Sequence, residues 1–172
     1  KPLIYDHQKA ATDIPDTGAL FADVLKAAGI DEAILFPHTG PHVLAAWTHA
    51  LQERKIKPIV GAAMTHPAYL VSEGGFIADS AATAICRQAA VLGVSAFVVP
   101  LTKPELVAKL AVGVPFTAQQ EFYSPGFGAQ KGDPTQFPML ARHYLIMGRS
   151  LLAAADPAKK LAEVENELGM GV

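Results

Sequence analysis

Six short apolar runs, separated by helix-like patterns, set the strongest limit on what this chain can become. The runs cover residues 3–5, 32–36, 57–62, 95–100, 121–124 and 144–147. Between them, apolar residues recur at helical spacing over 18–28, 41–52, 78–92 and 104–110, with a stunted helix expected near 136–142 and a last one following the Asp156-Pro157 pair to about Leu168. Phe21, Val24, Leu25 and Ala28 share one face of the first helix, and Leu44, Trp47, Ala50 and Leu51 share one face of the second. Pro41 and Pro157 suit first-turn positions, and Asp156 suits an N-cap. No two-residue hairpin signal joins any pair of runs. Strands apolar on both faces and linked by helices predict a parallel sheet covered by helices. Two architectures satisfy this: an open doubly wound sheet, or a (β/α)8 barrel lacking its first two units. Glycine, proline and polar clusters follow nearly every run, which favours the barrel, whose sites gather at the carboxyl ends of its strands.

Composition narrows the partners. The 172 residues are 51% hydrophobic and 17% charged with a net charge of -2, a well-buried globular balance. No basic cluster invites nucleic acid, and no apolar run approaches membrane-spanning length. The single cysteine, Cys86, sits in an apolar helical pattern and reads as a buried free thiol suited to a reducing cytoplasm. The chain opens on Lys1-Pro2 without a methionine or a signal peptide.

Two stretches carry the chemistry. The first, Asp6-His7-Gln8-Lys9-Ala10-Ala11-Thr12-Asp13-Ile14-Pro15-Asp16-Thr17, follows the first strand. Asp6, Lys9 and Asp13 read either as a solvated loop or as a polar centre in which carboxylates keep the lysine protonated. The second is Ser124-Pro125-Gly126-Phe127-Gly128-Ala129-Gln130-Lys131-Gly132-Asp133-Pro134, joined after the next strand by Gly148-Arg149-Ser150. Gly126, Gly128 and Gly132 let backbone N–H groups converge on an anion, Gln130 adds an amide, and Arg149 can hold a phosphate bidentately. GxGxxG, Walker A, HExxH and GxSxG sequences are all absent. His38 and His42 flank a strand end. Asp6 and Asp13 have the oxygens that Mg²⁺ takes, but Lys9 competes for them, and no metal site is expected.

Together with Met64-Thr65-His66-Pro67, these stretches resemble orotidine 5'-phosphate decarboxylase, most closely its archaeal form, across the whole chain and in order. The resemblance implies a cytoplasmic, homodimeric (β/α)8 barrel that converts orotidine 5'-monophosphate to UMP and CO2 in pyrimidine synthesis, without metal or organic cofactor. Residues 1–172 would be one barrel domain, with strands equivalent to the third to eighth of the full barrel. It implies that Asp6 lies beside the substrate's leaving carboxylate and that Lys9 protonates C6. Asp13 would reach into the neighbouring subunit's site, and Thr17 would touch the ribose across the same interface. Thr65 would contact the pyrimidine in place of the family's usual serine. Gln130 and Arg149, with Gly126, Gly128, Gly132 and Gly148, would hold the phosphate.

Three departures stand out. The family spaces its lysine two residues after the first aspartate and its second aspartate three further on; here the gaps are three and four. A strand-end bulge would absorb the difference and turn His7 or Gln8 toward the pocket. Nothing aligns with the family's first two strands, which supply another aspartate and another lysine, so a truncated chain is expected. Lys131 replaces a usual glycine, and the helix after it is short. The rival readings are the Mg²⁺-dependent 3-hexulose-6-phosphate synthase and keto-gulonate-phosphate decarboxylase sister group, and a non-catalytic nucleotide- or phosphosugar-binding fragment.

Overall fold

The computed structural model describes residues 1–128, 130 and 132–168. Among them, six strands form one sheet: β1 (Ile4–Tyr5), β2 (Glu32–Leu35), β3 (Lys57–Gly61), β4 (Ala96–Val98), β5 (Glu121–Pro125) and β6 (His143–Ile146). Each strand pairs in parallel with the next in sequence, so the spatial order is the chain order. Helices α1 (Thr17–Ala27), α2 (Pro41–Glu53), α3 (Ala81–Val91) and α4 (Pro104–Gly113) make the crossovers between β1 and β5, and α5 (Arg149–Leu152) and α6 (Pro157–Glu167) follow β6. A doubly wound sheet reverses its strand order at a switch point. This sheet does not reverse, and the structure resolves the ambiguity in favour of a partial barrel.

The curl of the sheet is visible in one contact. Flat strands lie roughly 4.8 Å apart, so β2 and β5 would be about three spacings distant. Yet the Tyr123 hydroxyl of β5 donates to Glu32 Oε2 of β2 at 3.2 Å. The inner face closes over Ile34, Phe36, Ile59, Ala96, Val98 and Tyr123. The opposite face packs under the helices, with Ala33 and Leu35 against α1 and α2, and Phe97 and Phe122 against α3 and α4. Period-two alternation thus gives each strand one side to the barrel interior and one to the helical layer. The sheet stays open between β1 and β6, where Ile4 and Tyr144 remain 38% and 43% exposed.

Most expected elements lie within a few residues of their observed bounds. Pro41 opens α2, and Asp156 caps α6 by accepting from the Lys159 N–H at 3.0 Å. Cys86 is fully buried, and burial pushes its thiol up to about 12. Three details differ. No helix forms at 136–142; a 3-10 turn, Pro134–Gln136, stands before it instead. Pro138 lacks the N–H a helix needs, and Phe137 and Leu140 reach the core from irregular chain. Val24 is 59% exposed, so α1 buries Ala22 and Leu25 rather than the whole expected face. No helix among the described residues is long and apolar enough to cross a membrane.

A charged cluster sits at the amino ends of the strands. Lys57 pairs with Glu121 and with Glu32, the latter at 3.3 Å, and Arg142 Nη2 meets Glu121 Oε1 at 2.5 Å. Burial pushes the Glu121 carboxyl up, but Lys57, Arg142 and the Tyr123 hydroxyl outweigh it and hold it below its ordinary value near 4.5. A depressed carboxylate contributes stability that is present above its ordinary value and lost as pH falls through the lower folded value. Glu121→Gln should therefore cost about 1–2 kcal/mol at neutral pH, because Glu32 still partners Lys57. Its melting temperature should then decline less than that of the parent on acidification below pH 4.5. Parallel acid-side slopes in thermal melts of the two proteins would refute this role for Glu121.

Candidate active site

A cleft of about 340 Å³ opens at the carboxyl ends of the strands. Asp6 enters it from the end of β1, Thr65 from beyond β3, Gly126 and Gln130 from beyond β5, and Gly148 and Arg149 from beyond β6. Gln8, Pro125, Phe127, Ile146 and Ser150 complete the lining. Parallel connectivity makes this possible, because every β-to-α loop emerges on the same side.

The two halves of the cleft are tied together by polar contacts. Gln130 Nε2 donates to Thr65 Oγ1 at 3.2 Å, joining the β5 loop to the β3 loop. Thr102, after β4, donates its hydroxyl to the Thr65 carbonyl at 2.9 Å and fixes that residue from below. Thr102 is a supporting residue that sequence reading missed; its place at the carboxyl end of a strand was the available signal. The Gly132 N–H donates to the Gly126 carbonyl at 2.9 Å, closing the glycine-rich turn. Gly126 and Gly128 take φ of 107° and 77°, open to glycine and strained for other residues. A Cβ on Gly132 would stand 2.4 Å from Leu101 Cβ, so a side chain has no room there. Ala129 and Lys131 of this run, including the expected Lys131 departure, lie outside the described residues. Arg149 is exposed and, among the described residues, has no carboxylate within ion-pair distance, leaving its guanidinium available to an anion.

Of the two readings of the stretch after β1, the exposure of its charges favours the solvated loop. Asp6, Lys9 and Asp13 are all exposed, and no ion pair forms among them. Asp13 Oδ1 accepts from the Ile14 N–H at 2.7 Å, and the Thr17 hydroxyl donates to the Ile14 carbonyl at 2.8 Å. Lys9, Asp13, Thr17, Gly128 and Gly132 do not line the cleft. The longer spacing is absorbed after the strand, not within it: Gln8 and Ala11 take left-handed conformations, φ 58° and 67°. In this loop Ala10 and Ala11 are buried, and the Ala10 carbonyl accepts from the Phe36 N–H at 2.8 Å. The alanines anchor the loop to β2 and leave Lys9 at its surface.

His38 does not line the cleft. Its Nδ1 lies 3.1 Å from the Tyr69 hydroxyl, and burial lowers its pKa below the ordinary value. The neighbouring loop is held by Lys103, whose ammonium meets both Glu73 oxygens at 2.6 Å and lies 5.4 Å from the Tyr69 ring centre.

A chain of this shape has known relatives. The orotidine 5'-phosphate decarboxylase of Methanosarcina mazei is 31% identical over 169 residues, a match spanning 97% of this chain and 72% of that protein. The chain belongs to the orotidine 5'-phosphate decarboxylase family. The Methanosarcina barkeri member is 32% identical over 172 residues, covering 96% of this chain and 73% of its own length. No protein-family model matches the chain. Among solved structures, orotidine 5'-monophosphate decarboxylase from Methanocaldococcus jannaschii, complexed with the inhibitor BMP, superposes with a TM-score of 0.79 at 25% identity. That match covers 96% of this chain and 73% of that one. The Sulfolobus solfataricus structure, at 19% identity and a TM-score of 0.74, supports the fold.

Proposed function

We propose that this chain carries the site of an orotidine 5'-phosphate decarboxylase, acting in pyrimidine synthesis as a carbon–carbon lyase without metal or organic cofactor. The observation that carries this reading is the shared cleft: Asp6, Thr65, Gln130 and Arg149, from four different strand ends, line one space. The Arg149 guanidinium, with Gly126 and Gly148 of the cleft wall, holds the 5'-phosphate, while Gly128 and Gly132 shape the turn that carries Gly126. Thr65 faces the pyrimidine, and Gln130 ties that contact to the phosphate loop. Asp6 lies beside the leaving carboxylate. The bond from C6 to the carboxylate breaks, CO2 departs, and the electron pair left on C6 takes a proton from the Lys9 ammonium. Lys9 then recovers its proton from solvent. Phosphate binding at the remote end draws Lys9 from the surface into the cleft as the loop closes.

In this reading the six strands correspond to the third to eighth of an eight-stranded barrel, and residues 1–172 act as one domain. The open seam between β1 and β6 is where a closed barrel carries its other two strands. The protein works as a cytoplasmic homodimer in which Asp13 and Thr17 cross to the neighbouring site. Ile14, Leu20 and Val24, which are 58%, 68% and 59% exposed beside those two residues, supply an apolar surface for the contact. Spectrophotometric decarboxylation of orotidine 5'-monophosphate is the direct assay. Turnover that survives EDTA is expected; turnover abolished by EDTA would move the chain to the Mg²⁺-dependent sister branch.

A further inference from the structure

Two independent observations converge on Gln8. Its backbone is left-handed, with φ 58°. That conformation is costly for a residue with a Cβ, and it persists where the surrounding chain enforces it, often at functional sites. Its side chain also lines the cleft, where Nε2 donates to Asp6 Oδ2 at 3.4 Å. The reversal is fixed on both sides, by β1 before it and by the Ala10 carbonyl bound to Phe36 after it. Glycine would make the same turn without strain. The glutamine instead places an amide donor beside the cleft's own carboxylate.

We infer that Gln8 is a positioning residue: its amide fixes the Asp6 carboxylate in the cleft and thereby sets the discrimination between nucleotides with and without a carboxylate at C6. The inference rests on the decarboxylase reading, in which Asp6 faces the leaving carboxylate. A carboxylate with one oxygen held by an amide keeps one orientation; released, it rotates about its terminal torsion. The other charges near this stretch are Arg149 across the cleft and Lys9 next along the chain. Among the described residues neither forms an ion pair with Asp6, and the Gln8 amide is the side-chain contact on its carboxylate.

Three variants test the role. Gln8→Gly removes the amide and the strain together. Its melting temperature should match or exceed that of the parent, its kcat should fall about tenfold and its UMP affinity should stay within about twofold. Gln8→Asn keeps an amide on a residue that tolerates the left-handed region, and should recover part of the lost kcat. Gln8→Glu adds a second negative charge, and should raise KM for orotidine 5'-monophosphate about tenfold while changing UMP affinity by no more than about threefold. Equal losses on both nucleotides would reduce Gln8 to a structural role, and unchanged kinetics in all three variants would remove the role altogether. If the parent chain binds nucleotides without turning them over, the same ratio is read from equilibrium titrations with the two ligands. The decarboxylase reading then fails separately from the role of Gln8. A parent chain that binds neither nucleotide contradicts both.

Discussion

Lys9→Ala is expected to lower kcat for orotidine 5'-monophosphate by at least about a thousandfold, roughly 4 kcal/mol of transition-state stabilisation. The reaction leaves an electron pair on a pyrimidine carbon with no cofactor to delocalise it. An ammonium beside that carbon both stabilises the developing charge and quenches it, so its removal strikes the step itself. The fold is expected to tolerate the change. Lys9 is exposed and makes no ion pair among the described residues, so folding stability should hold to within the few tenths of a kcal/mol usual for surface substitutions. Its backbone carbonyl, which accepts from Thr12, survives the substitution. UMP affinity should change little, because the product no longer presents a carbanion. Steady-state kinetics, a thermal melt and a UMP titration on the same preparation separate these effects. A variant that keeps more than a tenth of the parent kcat would remove Lys9 from the chemistry.

The second large effect is expected at Arg149. Arg149→Ala should weaken UMP binding by about 10- to 100-fold, the roughly 1.5–3 kcal/mol carried by hydrogen bonds to a charged group. Uridine, which has no phosphate, should bind parent and variant alike. If phosphate binding drives closure over the reacting carbon, kcat should fall with affinity instead of being spared. Arg149 opens a four-residue helix and is exposed, so its loss should leave stability nearly unchanged. Equal weakening of uridine and UMP would place the arginine away from the phosphate.

What could be read in advance differed between the fold and the site. Six parallel strands were legible because their apolar runs are short, are bounded by glycine and proline, and are separated by helical spacing in residues such as Leu44, Trp47 and Leu51. The α5 helix was not legible: four residues after Gly148 are too few for any periodicity to show. The helix expected at 136–142 failed because Phe137 and Leu140 bury themselves from irregular chain around Pro138, which mimics helical spacing. At the site, Asp6, Thr65, Gln130 and Arg149 are far apart in sequence, and only the order of strands in the curled sheet brings them to one cleft. Residue type alone left Asp6, Lys9 and Asp13 open between a solvated loop and a polar centre in a pocket. The structure leaves them at the surface, because Ala10 and Ala11 take the inward positions of that loop. Gln8 was visible only as a consequence of the longer Asp6-to-Lys9 spacing, and its left-handed backbone explains why.

The most direct test of the central claim is calorimetric titration of the chain with UMP, with ribulose 5-phosphate as the competing ligand and with Mg²⁺ present or withheld. In the proposed reading, one cleft holds both the phosphate, at Gly126, Gly148 and Arg149, and the base, at Thr65. Saturable UMP binding that does not depend on Mg²⁺ is expected, with the sugar phosphate bound at least about tenfold more weakly for want of a base. Binding of ribulose 5-phosphate only in the presence of Mg²⁺, with no UMP binding, would contradict it.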